Sequence, residues 1–165
     1  MSKISLAIAL LLFLTDRVLK YSALRAPSEG LFVFKNEIAQ IGFKYSANPG
    51  MAFGIPMPNY LIIAASVVII GAVIWWMARL KSPRANDVRE GLAKARFPFI
   101  RFKNSKLLLA ILLAGALSNL FDRIAYGHVI DYFYVSFYST FNLADAMIVV
   151  PAIMIGKFQI SNFKF

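Results

Sequence analysis

The stretch LIIAASVVIIGAVIWWMA, Leu61 to Ala78, decides the class of this protein. It contains no charged residue, and at a rise of 1.5 Å per residue a helix over it is roughly 27 Å long, close to the hydrocarbon thickness of a bilayer. Working outward, three more apolar segments flank it. The predicted spans are 4–24, 59–79, 106–123 and 141–159. The first begins ISLAIALLLFL and is broken by Asp16, Arg17 and Lys20; the third reads LLLAILLAGALSNLF from Leu107; the fourth carries one internal acid, Asp145. The expected architecture is an all-α polytopic membrane protein, a single domain over 1–165. It has four transmembrane helices and a small outer-side surface segment that is β-rich or amphipathic.

Composition supports that reading. Of the 165 residues, 59% are apolar and 16% charged, against roughly a quarter charged in a globular domain. A chain this short has too little other material to bury four such helices in water. Cysteine is absent, which removes disulfides, thiolate metal sites and a cysteine nucleophile. Lys3 and the apolar run after it fit the opening of a signal peptide. The following TDRVLKY lacks a small-x-small cleavage pattern, so the segment is expected to stay as the first span.

Charge sets the orientation. From Arg79 to Lys106 lie nine basic residues (Arg79, Lys81, Arg84, Arg89, Lys94, Arg96, Arg101, Lys103 and Lys106) against Asp87 and Glu90, a net +7 out of the chain's +10. The connector 80–105 should therefore be cytoplasmic. Four spans then put both termini inside and place segment 27–58 and the connector after Asp122 on the outer side. Retention inside and contact with anionic lipid account for the basic loop, so no nucleic acid partner is expected. Within 27–58, GLFVFKNEIAQIGFKYSANPGMAFG mixes aromatic and alternating polar residues, as in short strands resting on a membrane surface. Asn48-Pro49-Gly50 is a turn signal.

Polar and ionisable residues inside spans are costly and usually face a polar interior. Here they gather at the outer ends: Asp16, Arg17 and Lys20 on the first span, Asn119, Asp122 and Arg123 on the third, Asn142 and Asp145 on the fourth, with Asp131 in the outer connector. Asn119 with Asp122 and Asn142 with Asp145 are i,i+3; Asn119 with Arg123 and Asp16 with Lys20 are i,i+4, so each set shares a helix face. Asp122 and Arg123 read as a structural ion pair at a helix end. Asp145 has no basic neighbour and needs a partner from elsewhere in the fold. His128, the only histidine, reads as an interfacial loop residue. With no metal-binding or nucleotide-binding motif, no metal or cofactor is expected, and carboxylates are the remaining acid–base machinery. Two carboxylates sharing a proton can activate water. A small transporter relaying protons through the same acids remains open on these residues alone.

Four blocks then add a resemblance. TDRVLK (Thr15 to Lys20), NPGMAFG (Asn48 to Gly54), SNLFDRIAYGHVIDYF (Ser118 to Phe133) and FNLADA (Phe141 to Ala146) resemble, in order and spacing, the signature blocks of the bacterial lipoprotein signal peptidases, signal peptidase II, which are aspartic proteases of the inner membrane. The resemblance implies that Asp131 and Asp145 are the catalytic aspartates. It also implies supporting or substrate-positioning roles for Asp16, Asn48, Gly50, Asn119, Asp122, Arg123 and Asn142, with Gly54 and Gly127 as family glycines. The chain departs from the usual pattern at Arg17 (Gln is usual), Ser118 (Gly) and Tyr132 (Phe), and lacks the proline common before FNxAD.

The implied reaction is removal of the signal peptide from a diacylglyceryl-modified prolipoprotein, cut immediately before the lipidated cysteine. One carboxylate would serve as base on water, and the other would polarise the carbonyl and protonate the departing amine. The implied partners are that prolipoprotein, membrane lipids and globomycin-like cyclic peptide inhibitors, for a monomer in the bacterial inner membrane with the active site near the periplasmic face.

Overall fold

The computed structural model describes residues 2–36, 39–50, 57–79, 105–136 and 139–162. The basic connector 80–105 and Gly54 therefore lie outside the described residues, apart from Ser105 at the connector's end. Four helices and four strands follow in the order α1 (Lys3–Ala23), β1 (Leu31–Lys35), β2 (Gln40–Asn48), α2 (Asn59–Arg79), α3 (Ser105–Tyr126), β3 (Val129–Val135), β4 (Ser139–Phe141) and α4 (Leu143–Asn162). The strands form one antiparallel sheet in that sequence order.

The all-α expectation needs correcting here. The sheet is not confined to 27–58: its second half comes from 129–141, in the connector expected on the outer side after Asp122. In β3 the residues from Val129 to Tyr132 are all buried, so the strand lacks the one-sided alternation that marks a surface strand.

α3 is the central helix and packs against α1, α2 and α4. Small residues allow that. Ala9, Ala110, Ala114 and Met147 form one buried cluster between α1, α3 and α4, edged by Leu12, Phe13, Ile111 and Leu143. Gly115 lets α4 approach α3 closely, because a Cβ there would lie 2.6 Å from Ala144 O and 2.9 Å from Met147 Cβ. Close backbone contact of this kind holds helices together where apolar burial alone cannot. A second cluster, Ala23, Ile130 and Tyr132 with Leu19, Phe43 and Leu143, seats the sheet on the end of α1.

Among the described residues two helices, α2 and α3, are long and apolar enough to cross a membrane. α2 buries only Ile62 and Ile70 and leaves Val67, Val68, Ile69, Ile74 and Trp75 exposed. Water would not tolerate so contiguous an apolar exterior. α1 likewise exposes Ile4, Leu10, Leu11, Leu14 and Val18 while burying Asp16 and Lys20. Its apolar face is outside and its charged face inside, the reverse of a helix in water.

Turn chemistry joins the helices to the sheet. α3 stops where Gly127 adopts φ +78 and its N–H returns to Arg123 O at 3.2 Å, an αL helix end that favours glycine. Two residues later the chain is in β3, which pairs with β2 so that Ser46 faces Asp131 and Asn48 faces Val129. α4 begins directly after β4, which brings the start of a helix against the middle of a strand.

Candidate active site

At that junction lie Asp131 on β3 and Asp145 in the first turn of α4. Asn142 precedes α4 as its N-cap and joins them. Its Nδ2 donates to Asp131 Oδ1 at 2.6 Å, and its Oδ1 accepts the Asp145 N–H at 2.9 Å. Asp145 answers by accepting the Asn142 N–H on Oδ2 at 3.1 Å. This is a reciprocal capping box made by Asn and Asp instead of Ser/Thr and Glu. The i,i+3 spacing legible in FNLADA is thus a cap rather than a pair on one helical face.

Each aspartate has a second amide. Asn48 Nδ2, at the end of β2, donates to Asp131 Oδ2 at 3.0 Å. Asn119 Nδ2, one turn beyond Gly115 on α3, donates to Asp145 Oδ1 at 2.9 Å. Asn119 Oδ1 in turn accepts from Lys20 Nζ at 2.7 Å. Asn119 therefore faces two ways, which an amide can do because it carries both a donor and an acceptor.

Asp16 and Asp122, both fully buried, are held differently. Lys20 Nζ lies 2.7 Å from Asp122 Oδ2 and 3.2 Å from Asp16 Oδ2, with all three side chains fully buried. Arg17 Nη1 makes a further ion pair with Asp122 Oδ1, and its guanidinium lies 4.5 Å from the Phe121 ring centroid. Ser118 Oγ donates to Asp16 Oδ2 at 2.6 Å, and the Tyr132 hydroxyl donates to Asp16 Oδ1 at 2.9 Å. Among the described residues, Asp16 and Asp122 are neutralised by ion pairs, while Asp131 and Asp145 are held by neutral amides and a backbone N–H.

That difference sets their protonation chemistry. Burial pushes the Asp131 carboxyl up to about 6, and the negative charge of Asp145 adds to the rise, against the pull of the Asn48 and Asn142 amides. The arrangement can keep a proton on a carboxyl near neutral pH. Burial, followed by the charge of Asp16, keeps the Tyr132 phenol protonated, so it remains a donor.

Most of the site residues named from the sequence come together here: Asp16, Asn119, Asp122, Asn142, Asn48, Asp131 and Asp145. One relation differs from expectation. Asp122 does not pair with Arg123; neighbours along a helix point in different directions. Asp122 turns to Lys20 and Arg17, whereas Arg123 Nη2 donates to Gly50 O at 2.7 Å and so ties the Asn48-Pro49-Gly50 turn to α3. His128 stands apart with Tyr45, Nε2 to hydroxyl at 2.9 Å. Lys20 and Arg17 belong to the polar cluster expected at the outer helix ends, and the i,i+4 spacing of Asp16 and Lys20 already joins those two; Ser118 and Tyr132 stand out in the sequence only as departures from the family pattern, with no role attached. The roles of Ser118 and Tyr132 depend on which helix crosses which, and their spacing in the chain holds no trace of that.

Comparison with known proteins bears on this site. A family model described as signal peptidase (SPase) II matches residues 8–160. A lipoprotein signal peptidase of Clostridium novyi (strain NT) is 30% identical over 157 residues, covering 90% of this chain and 92% of that relative. One of Halothermothrix orenii is 28% identical over 151 residues, covering 90% and 89%. A solved bacterial membrane enzyme, determined by the in meso method at 2.3 Å resolution, superposes with a TM-score of 0.72 at 21% identity, covering 99% of this chain and 93% of the other. A second, at 1.9 Å resolution, gives 0.67 at 20% identity.

Proposed function

The chain belongs to the signal peptidase II family and is a membrane aspartic peptidase, and from that premise we propose how it works. It hydrolyses the signal peptide from diacylglyceryl-modified prolipoproteins immediately before the lipidated cysteine, with Asp131 and Asp145 as the catalytic pair. The observation that carries this reading is the division among the four acids of the site. Two are neutralised by Lys20 and Arg17, and two are left to amides around a shared Asn142. Carboxylates whose environments differ in this way take different roles, and the unneutralised pair is the one able to exchange protons.

The chemistry then balances without a further group. One carboxylate of the pair is ionised and one protonated. A water held between them gives a proton to the carboxylate as its oxygen attacks the scissile carbonyl carbon, and the protonated partner polarises the carbonyl by donating a hydrogen bond to its oxygen. The partner then passes its proton to the amine nitrogen as the tetrahedral intermediate collapses and the C–N bond breaks, so the pair again shares one proton, now on the carboxyl that took it from water. Asn48 and Asn142 position the dyad, Arg123 holds the Gly50 turn beside it, and Asp16 and Asp122 join the surrounding helices.

The membrane arrangement follows from the same reading. All four helices cross the bilayer of the bacterial inner membrane, the basic connector and both termini are cytoplasmic, and the dyad lies near the periplasmic face. A substrate anchored by its signal helix and two acyl chains reaches it laterally, and buried acyl surface contributes about 0.8 kcal/mol per CH₂ to selection. The enzyme acts as a monomer within membrane lipid and is inhibited by globomycin-like cyclic peptides.

The decisive experiment incubates purified protein, in detergent with chelator, with one precursor bearing the diacylglyceryl cysteine and the same precursor without it. Only the lipidated precursor should be cut, before the cysteine, and D131N and D145N should each abolish the cut while remaining folded. Equal cleavage of both precursors would remove lipid selection, and normal turnover by D145N would remove the dyad. Proton flux in sealed vesicles that depends on Asp145, with neither precursor cut, would favour the transporter reading.

A further inference from the structure

The first turn of α4, which carries Asp145, has its free backbone donors taken by side chains from several elements. The Asp145 N–H goes to Asn142 Oδ1 at 2.9 Å, the Ala144 N–H to Asp16 Oδ1 at 3.1 Å, and the Leu143 N–H to the Tyr132 hydroxyl at 2.9 Å. The opening N–H groups of any helix lack intrahelical acceptors. Here their acceptors come from α1, from β3 and from the cap itself. The Tyr132 hydroxyl also donates to Asp16 Oδ1 at 2.9 Å, so the phenol and the carboxylate form one buried clamp on consecutive peptide units.

We propose that Tyr132 is a positioning residue for Asp145: its hydroxyl, with Asp16, fixes the height and rotation of the α4 turn on which that carboxylate stands. The proposal rests on the peptidase reading above and adds a residue to it. Asp131 lies next to Tyr132 in β3, so a single strand sets both carboxylates: one directly, the other through the phenol. Asp131 is also anchored by Asn48 on β2, outside α4, so loosening the clamp displaces Asp145 more than Asp131. A Phe ring fills the same volume but strands the Leu143 N–H without an acceptor and takes a donor from Asp16.

Y132F and S118A separate positioning from plain stability. Ser118 Oγ donates to Asp16 Oδ2 at 2.6 Å, so S118A takes a donor from the same carboxylate without touching a donor of α4. Two readouts are made on detergent-purified full chain: steady-state cleavage of the diacylglyceryl precursor, and hydrogen exchange of the segment 139–150 by mass spectrometry. Y132F should lower kcat roughly threefold to tenfold with KM unchanged, the loss expected of one buried hydrogen bond, and should speed exchange at Leu143. S118A should melt earlier and leave exchange at Leu143 as in wild type. Unchanged exchange or unchanged kcat in Y132F, or exchange at Leu143 speeded as much by S118A as by Y132F, would overturn the clamp. A wild-type protein that cuts no precursor would instead overturn the peptidase reading, while the exchange data still decide whether the phenol fastens the helix.

Discussion

Asn119 joins Lys20 to Asp145: its Oδ1 accepts from the ammonium at 2.7 Å while its Nδ2 donates to the carboxylate at 2.9 Å. One amide thus separates the positive charge from the acid it would otherwise neutralise. Lys20 itself is spent on Asp16 and Asp122. The ammonium orients Asn119 without forming an ion pair that would lock Asp145 in its ionised form.

Replacing Lys20 tests this. K20M leaves Asp16 and Asp122 buried without their shared cation, and removing one partner from such a group costs about 3–5 kcal/mol. K20M should therefore melt far below wild type in detergent, and K20M/D122N should recover part of the loss. Equal melting of K20M and wild type would show that the ammonium is not a structural charge.

Asn142 combines a cap with a tether, and two substitutions divide them. N142D keeps a good N-cap acceptor but loses the amide donor to Asp131, so it should fold normally and lose most of its activity. N142A loses both functions; a lost cap costs about 1 kcal/mol, which lowers the melting temperature by roughly 2–4 °C in a chain of this size. Circular dichroism melts beside precursor cleavage read the two effects separately. An active N142D would remove the tether from the mechanism.

Gly115 should be the least replaceable glycine in the helices. A Cβ there would meet Ala144 O at 2.6 Å, whereas one at Gly71 would meet nothing within 4 Å. G115A should push α4 away from α3, lengthen the reach from Asn119 to Asp145 and reduce cleavage more than tenfold, while G71A should behave as wild type. Matched activities for the two variants would contradict the packing described.

The raised Asp131 carboxyl makes a prediction about pH. Because its folded value is about 6, against roughly 3.9 in an unfolded chain, the folded protein holds a proton there that the unfolded chain has lost. Its favourable contribution is full below about pH 4 and disappears as pH rises through about 6. D131N has no such group. Over that window the melting temperature of wild type should fall relative to D131N, and parallel curves for the two proteins would show that the carboxyl is not raised.

Much of the site was legible as a list of residues, because a charge or amide among apolar residues is conspicuous wherever it falls. Asp16, Asn119, Asp122, Asn142 and Asp145 stand out in this way. The strand holding Asp131 was not legible. With Val129 to Tyr132 buried together, it shows no alternation to distinguish it from a loop, and its partner β2 lies more than eighty residues earlier. Asp122 and Arg123 were mispaired because adjacency in the chain says nothing about direction around a helix.

The sequence by itself determined a membrane protein with apolar helices, a basic connector, and a set of acids and amides near the helix ends. These properties follow from composition and local spacing, since transfer free energies are carried by the residues themselves. The tertiary structure alone decided which acids are neutralised. Lys20 lies four residues from Asp16 but reaches Asp122 only because α3 crosses α1, and Asp145 escapes pairing because Asn119 stands in the way. Electrostatic energy depends on distance through space and on local burial, and neither can be known until the helices have packed.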